Sequence, residues 1–218
     1  MKQFIARILN LIFGLFLYAL GIVITIRANI GYSPWDVFHT GLAQKTGISI
    51  GTASILTGMV IVGIVLVLGE KIGLGTLLNM ILIGVFIDLI FMSDLIPKQE
   101  KMVFGLLMLV IGLFVISVGS YFYIKAAFGA GPRDSLMVVL NRKTKLPVGV
   151  CRSVIELVVT IIGWILGGMV GIGTVISAIA IGFFIQFTFA LLKFVPSAVE
   201  HETLHQTYKN VIGIVKGK

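Results

Sequence analysis

The sequence predicts an all-α membrane protein: six transmembrane helices in two inverted three-helix repeats, each with a short half-helix after its first span. Three observations carry that expectation. Apolar residues make up 58% of the chain and charged residues 12%, with a mean hydropathy of +1.10, outside the range of a water-soluble domain. The apolar residues gather into runs of about 20, a length that crosses about 30 Å of hydrocarbon at 1.5 Å per residue. The chain also repeats itself at an offset of 98 residues.

The expected spans are residues 8–28, 51–69, 72–92, 102–124, 148–167 and 172–192. The first begins within "MKQFIARILN" and imitates a signal peptide, but it is too long for an ordinary h-region and no A-x-A site follows, so it is expected to remain in the mature protein. Cys151 is the single cysteine, which excludes an intramolecular disulfide. Between the third and fourth spans lies a polar linker, "SDLIPKQEK", residues 93–101.

Aligning residues 14–91 with 112–189 without a gap gives 26 identical pairs among 78, including Gly31 with Gly129, Pro34 with Pro132, Asp36 with Asp134 and Lys45 with Lys143. Shared hydrophobicity does not align Pro, Asp and Lys together, so the pattern marks a duplication. Each copy holds three spans, an odd number, so the second is expected to enter the membrane from the opposite side. The units are 1–98 with a half-helix at 33–46, 99–195 with a half-helix at 131–145, and a cytoplasmic tail, 196–218.

The net charge of +8 comes from basic residues beside the spans, not from a soluble domain that could grip nucleic acid. With the N-terminus inside, 13 of the 17 Lys and Arg fall on the inner side and only Arg27, Lys45, Lys98 and Lys101 on the outer. That asymmetry predicts cytoplasmic termini and some contact with anionic lipid.

After the first span of each copy comes Gly-x-x-Pro-x-Asp, as "GYSPWD" (31–36) and "GAGPRD" (129–134). Gly31 and Gly129 open the motifs, Ser33 and Gly131 are N-cap candidates, and Pro34 and Pro132 occupy the first helical position. Asp36 and Asp134 fall in the first turn, where a carboxylate can accept from orphan amides and oppose the helix dipole. Each helix runs about 12 residues, roughly 18 Å and so half a bilayer. The pair is expected either to dip into the membrane and face each other or to lie flat at the interfaces.

The stretch "ANIGYSPWDVFHTGLAQKTGISIGTASILTG" with "GLGTLLNMILIGVFIDL" resembles the YczE/YyaS/YitT group of bacterial membrane proteins, over residues 12–195. The resemblance implies a small multi-pass protein of the bacterial cytoplasmic membrane and no particular substrate.

Asp36 and Asp134 are candidates for a cation or proton site, against the simpler role of helix caps. Arg133 replaces Trp35 in the second copy; it serves either orientation and lipid contact or an anionic solute beside a helix start. Glu156, opposite Gly58 in the register, either pairs with Arg152 one turn earlier or couples protons. Asp88 is expected to snorkel, Asn79 and Ser177 to bond between helices, and Gly58, Gly84 and Gly182 to permit close packing. Gly69, Gly73, Gly167 and Gly171 suit helix ends better than a dimer motif. His201 and His205 lack further ligands, so a solvated tail is expected and no metal or cofactor.

No P-loop, G-x-S-x-G, H-E-x-x-H or paired-Cys motif occurs, so an enzyme is not expected. The leading expectation is a transporter or channel for a small solute or ion, with Asp36, Arg133, Asp134 and Glu156 lining the path and one repeat rocking against the other. A homodimer is one way for so short a chain to enclose a path. The alternatives are a non-transporting scaffold or regulatory partner of another membrane or biosynthetic protein and, more remotely, a lipid-modifying enzyme.

Overall fold

The computed structural model describes residues 2–215; Met1 and residues 216 to 218, with the tail lysines Lys216 and Lys218, lie outside that range. The chain is all helical among the described residues: α1 (Lys2–Arg27), α2 (Pro34–Thr46), α3 (Ile50–Val67), α4 (Leu74–Ser93), α5 (Met102–Lys125), α6 (Pro132–Thr144), α7 (Val148–Ile165), α8 (Ile172–Leu191), a 3-10 turn at Pro196–Ala198 and α9 (Leu204–Val215). Six of these, α1, α3, α4, α5, α7 and α8, are long and apolar enough to cross a membrane. The first starts at Lys2 rather than residue 8 because Lys2, Gln3 and Arg7 are good helix formers and continue its first turns. The bounds of α6, α7 and α8 are those of α2, α3 and α4 moved by 98 residues.

At the centre α1 packs along α5, antiparallel: Arg7 Nε donates to Ala126 O (3.0 Å) near one end, while Gly105 abuts the Ala28 carbonyl near the other. Glycines allow this approach. A methyl on Gly14 would stand 2.9 Å from Gly119 O and one on Gly119 2.8 Å from Gly14 O; for Gly21 and Gly112 the reciprocal distances are 2.7 and 3.0 Å. The 98-residue register sends Gly14 to Gly112 and Gly21 to Gly119, so the contacts are reciprocal in the way a two-fold axis requires. Leu11, Leu15, Ala19, Ile22 and Ile116 fill the core around this crossing, joined by Ile83 and Ile87 from α4.

The two copies are stitched by their loops. Gly173 N donates to Ile30 O (2.8 Å), and Gly75 N to Phe128 O (2.7 Å), its counterpart under the register. The following residues, Gly31 and Gly129, have φ of 107° and 118° and sit against Gly171 and Gly73. Both the left-handed backbone and the absence of room for a Cβ demand glycine there. Each half-helix leaves its stitch to pack against α3 and α7; α2 buries Pro34, Asp36, Val37, His39 and Gly41.

The tail is not merely solvated. Glu202 N donates to Ala127 O (2.8 Å), Leu204 N to Ile72 O (3.0 Å), and Arg7 Nη1 to Glu202 Oε1 (2.6 Å), while the Arg7 guanidinium lies over the Phe128 ring at 4.3 Å. Backbone pairing and one ion pair thus draw residues 202–204 onto the loops beside α1, with His201 and His205 themselves exposed. Gly69 and Gly167, at φ of 82° and 105°, end α3 and α7 in left-handed backbone.

Candidate functional site

The half-helices begin as their prolines require, with Ser33 and Gly131 as extended N-caps before Pro34 and Pro132. The aspartates do not cap amides, in contrast to the expectation from their position. Ser33 Oγ donates to Asp36 Oδ2 in a short bond, and Tyr123 of α5 donates its hydroxyl to Asp134 Oδ2 (2.8 Å). Side-chain hydroxyls thus hold both carboxylates: Ser33 closes the start of α2 on itself, and Tyr123 ties the start of α6 to α5.

Trp35 and Arg133, the positions at which the two motifs differ most, meet face to face: the guanidinium lies over the indole at 4.7 Å. This cation–π contact leaves the guanidinium edge free. Arg7, Arg27, Arg142 and Arg152 each pair with a carboxylate; Arg133 alone among the described arginines has no such partner. On α7, Arg152 Nε donates to Glu156 Oε1 (2.8 Å), one turn apart.

Asp36, Arg133, Asp134 and Glu156 all border one cavity of about 280 Å³, closed elsewhere by Tyr18 and Ile22 of α1, Ile116 and Tyr123 of α5, and Ser177 and Ile181 of α8. Ser33 and Pro34 also reach it; Gly31 and Gly129 lie behind, in the stitches, and Gly131 and Pro132 face a second, smaller cavity of about 60 Å³. The two cavities share Tyr18, Tyr123, Arg133 and Asp134 as a partition. Beyond that partition their walls correspond through the register: Arg152, Ile155, Glu156, Ser177, Ala178 and Ile181 in the larger answer to Ser54, Thr57, Gly58, Asn79, Met80 and Ile83 in the smaller, and Met137 answers to His39. One wall is therefore written twice, polar and ion-paired in one copy and nearly uncharged in the other.

Several participants escape a reading of the sequence. Tyr18 and Tyr123 look like ordinary aromatic residues of apolar spans. His39 is more legible in hindsight: it lies three residues after Asp36, on one face of a short helix. Its exposure is 1% and that of Asp36 is 2%. Ser177 donates within its own helix, to Gly173 O (2.7 Å), rather than across to a neighbour. Asp88 does not snorkel: Gly51 N and Ser49 Oγ donate to its two oxygens at 2.8 and 2.5 Å, making it a bolt between α4 and the start of α3.

Known proteins resemble this chain along most of its length. Residues 5–190 match a family described as a family of unknown function, DUF6198. The uncharacterized membrane protein YczE of Bacillus subtilis (strain 168) is 38% identical over 177 residues, 80% of this chain and 81% of the relative. An uncharacterized protein of Haemophilus influenzae is 32% identical over 186 residues, 85% of this chain and 84% of its own. YyaS, an uncharacterized protein of Bacillus subtilis, is 28% identical over 174 residues, covering 75% of this chain and 83% of the relative. No solved structure matches the chain. Six spanning helices, a duplicated half-helix motif and a family match over residues 5–190 together establish that the chain belongs to the DUF6198 family of YczE- and YyaS-type proteins and is a multi-pass membrane protein.

Proposed function

We propose that the protein is a transporter for a small solute, with its site in the larger cavity, between the starts of the two half-helices. One observation carries this reading: Asp36, Arg133, Asp134 and Glu156, from three separate helices, border a single cavity backed by a smaller one of corresponding walls. Two chambers separated by one partition suit alternating access, in which the chambers exchange roles as one copy rocks against the other. The antiparallel α1 and α5 and their reciprocal glycine contacts support reading the copies (1–98 and 99–195) as inverted repeats. The unpaired guanidinium of Arg133, stacked on Trp35 beside the start of α6, favours an anionic group on the solute.

The basic excess supports a bacterial cytoplasmic membrane with both termini inside. The cavity-lining groups bind and orient; the sequence supplies no nucleophile motif, which favours a carrier over an enzyme. A homodimer is compatible with the reading but not needed to form the cavity.

Ligand linkage tests the proposal, because a solute that binds only the folded protein raises stability by about 2.7 kcal/mol at a hundredfold excess over Kd. Thermal unfolding of the detergent-solubilised protein against a panel of metabolites and ions is expected to yield a stabilising compound whose effect disappears in Asp134→Asn. Proteoliposomes should then accumulate that compound. A flat panel, together with a partner captured by cross-linking in native membranes and lost in Asp134→Asn, would instead favour the scaffold role.

A further inference from the structure

The sharpest local anomaly is a pair of buried groups on α2. His39 has no partner for either ring nitrogen, and Asp36 has none for Oδ1. His39 Nδ1 and Asp36 Oδ1 stand 3.9 Å apart, too long for a hydrogen bond. Buried polar atoms are almost always satisfied, and three orphans at one point call for a cause. Asp36 borders the larger cavity and His39 the smaller, so the pair forms a short bridge between the chambers, alongside the partition that both share.

Two facing polar atoms with one gap between them fit few ligands. No group of three His, Cys, Asp or Glu that could hold a metal occurs among the described residues, and a carboxylate repels an anion. A proton fits. We propose that Asp36 and His39 form a proton-binding site and that the proton is the ion coupled to transport; the coupling, though not the binding, rests on the transporter reading above.

With Nδ1 protonated, neutral His39 takes a proton at Nε2 from the smaller chamber and becomes an imidazolium. It passes the Nδ1 proton to Asp36 Oδ1, which leaves a neutral imidazole protonated at Nε2 and a neutral carboxylic acid facing the larger chamber. The pair begins with one negative charge and ends with none. A displacement below 1 Å would bring Nδ1 and Oδ1 into hydrogen-bond range, and because both groups stand on α2 three residues apart, a small side-chain rotation supplies it without any movement of the helix. The groups that face the pair are Arg133 and Asp134 from α6, Tyr18 from α1, Tyr123 from α5, and Arg152 and Glu156 from α7; α3, α4 and α8 place no titratable side chain in either chamber. The register makes Met137 the counterpart of His39 while keeping Asp134 as that of Asp36, so the bridge exists on one side of the partition only.

The test uses the full chain with His201→Gln and His205→Gln, which leave His39 as the single imidazole, labelled with nitrogen-15 and observed by NMR in nanodiscs as pH is varied. The expected result is a ring that passes from the Nδ1-protonated to the Nε2-protonated tautomer as pH falls within the folded range, a change that Asp36→Asn, by removing the acceptor and its charge, abolishes or moves by about one pH unit or more. Should Asp36→Asn fail to fold, Ser33→Ala removes the hydroxyl that holds Oδ2 and is expected to move the same midpoint. A ring that keeps one neutral tautomer at every pH, or a midpoint indifferent to these variants, would overturn the site and leave buried water as the partner of the three atoms. A silent ring in a protein that still accumulates a solute sinks the proton site alone. A titrating ring in a protein that binds no solute sinks the transporter reading alone.

Discussion

The α3–α4 pair and the α7–α8 pair occupy equivalent positions in the 98-residue register, yet the first is locked together and the second stands open, its helices barely touching. In the first, a methyl on Gly51 would collide with the Gly84 carbonyl and one on Gly84 would stand 2.5 Å from Gly51 O. Their counterparts, Gly149 and Gly182, have nothing within 4 Å of such a methyl, contrary to the expectation that Gly182 serves close packing. Burial follows: 33% of the most apolar stretch of α3 is enclosed against 11% for α7. The smaller cavity lies beside the locked seam and the larger beside the open one. Small residues permit a tight seam without producing it. Two differences accompany it: Asp88 ties α4 to Ser49 and Gly51 at the start of α3, while the second copy has Gln186 opposite Pro147, and α7 packs instead on α2, with Gly163 and Gly168 against Val37. A charged acceptor holding a helix start is the stronger bond; Pro147 lacks the hydroxyl of Ser49, and Gln186 lacks the charge of Asp88, while the Gly149 amide is kept.

The largest expected effect comes from filling the locked seam. Gly84→Ala forces a methyl against backbone and is expected to cost about 1–3 kcal/mol, whereas Gly182→Ala, in open space on a helix, should be neutral or stabilising by up to about 1 kcal/mol. Thermal unfolding of the two variants reads the difference directly, and equal shifts would erase the comparison.

Removing the bolt comes next. Asp88→Asn keeps the shape and loses the charge, with an expected cost of about 1–2 kcal/mol, against less than about 0.5 kcal/mol for Gln186→Ala. Hydrogen exchange at the α3 amides sharpens the point, because protection at Gly51 and Thr52 should fall in the first variant only.

The smallest effect concerns the tail, which braces the turn between α3 and α4 through Leu204 N and Ile72 O, whereas the α7–α8 turn is braced by Tyr32 N donating to Met169 O. Burial alone would raise the Glu202 carboxyl, but hydrogen bonds from Arg7, Thr207 and Asn210 outweigh it and hold the group below the ordinary carboxylate value. Its contribution is therefore complete above the unfolded value of about 4.3 and is lost as pH falls through the folded one. Proteolysis near residues 200–204 should accelerate only once pH falls below about 4.3, and Glu202→Gln should be fast already at neutral pH. Cleavage that ignores both pH and the substitution would show that the backbone bonds suffice.

Much of this was readable from sequence because it is local or periodic. Spanning helices follow from runs of apolar residues that must satisfy their backbones internally, the half-helix starts from Pro34 and Pro132, the Arg152–Glu156 pair from a four-residue spacing, and the doubling from the 98-residue register. The register also limits which positions can correspond, as the two cavity walls show. What the tertiary structure alone decided is where unlike positions meet. Tyr123 reaches Asp134 because α5 passes the start of α6, Arg133 finds Trp35 because two helix starts converge, and His39 is left without a partner because α2 is buried between chambers. Whether a glycine is crowded or idle, as at Gly84 and Gly182, depends on the distance between helices, a quantity that packing sets and that identical letters at equivalent positions do not encode.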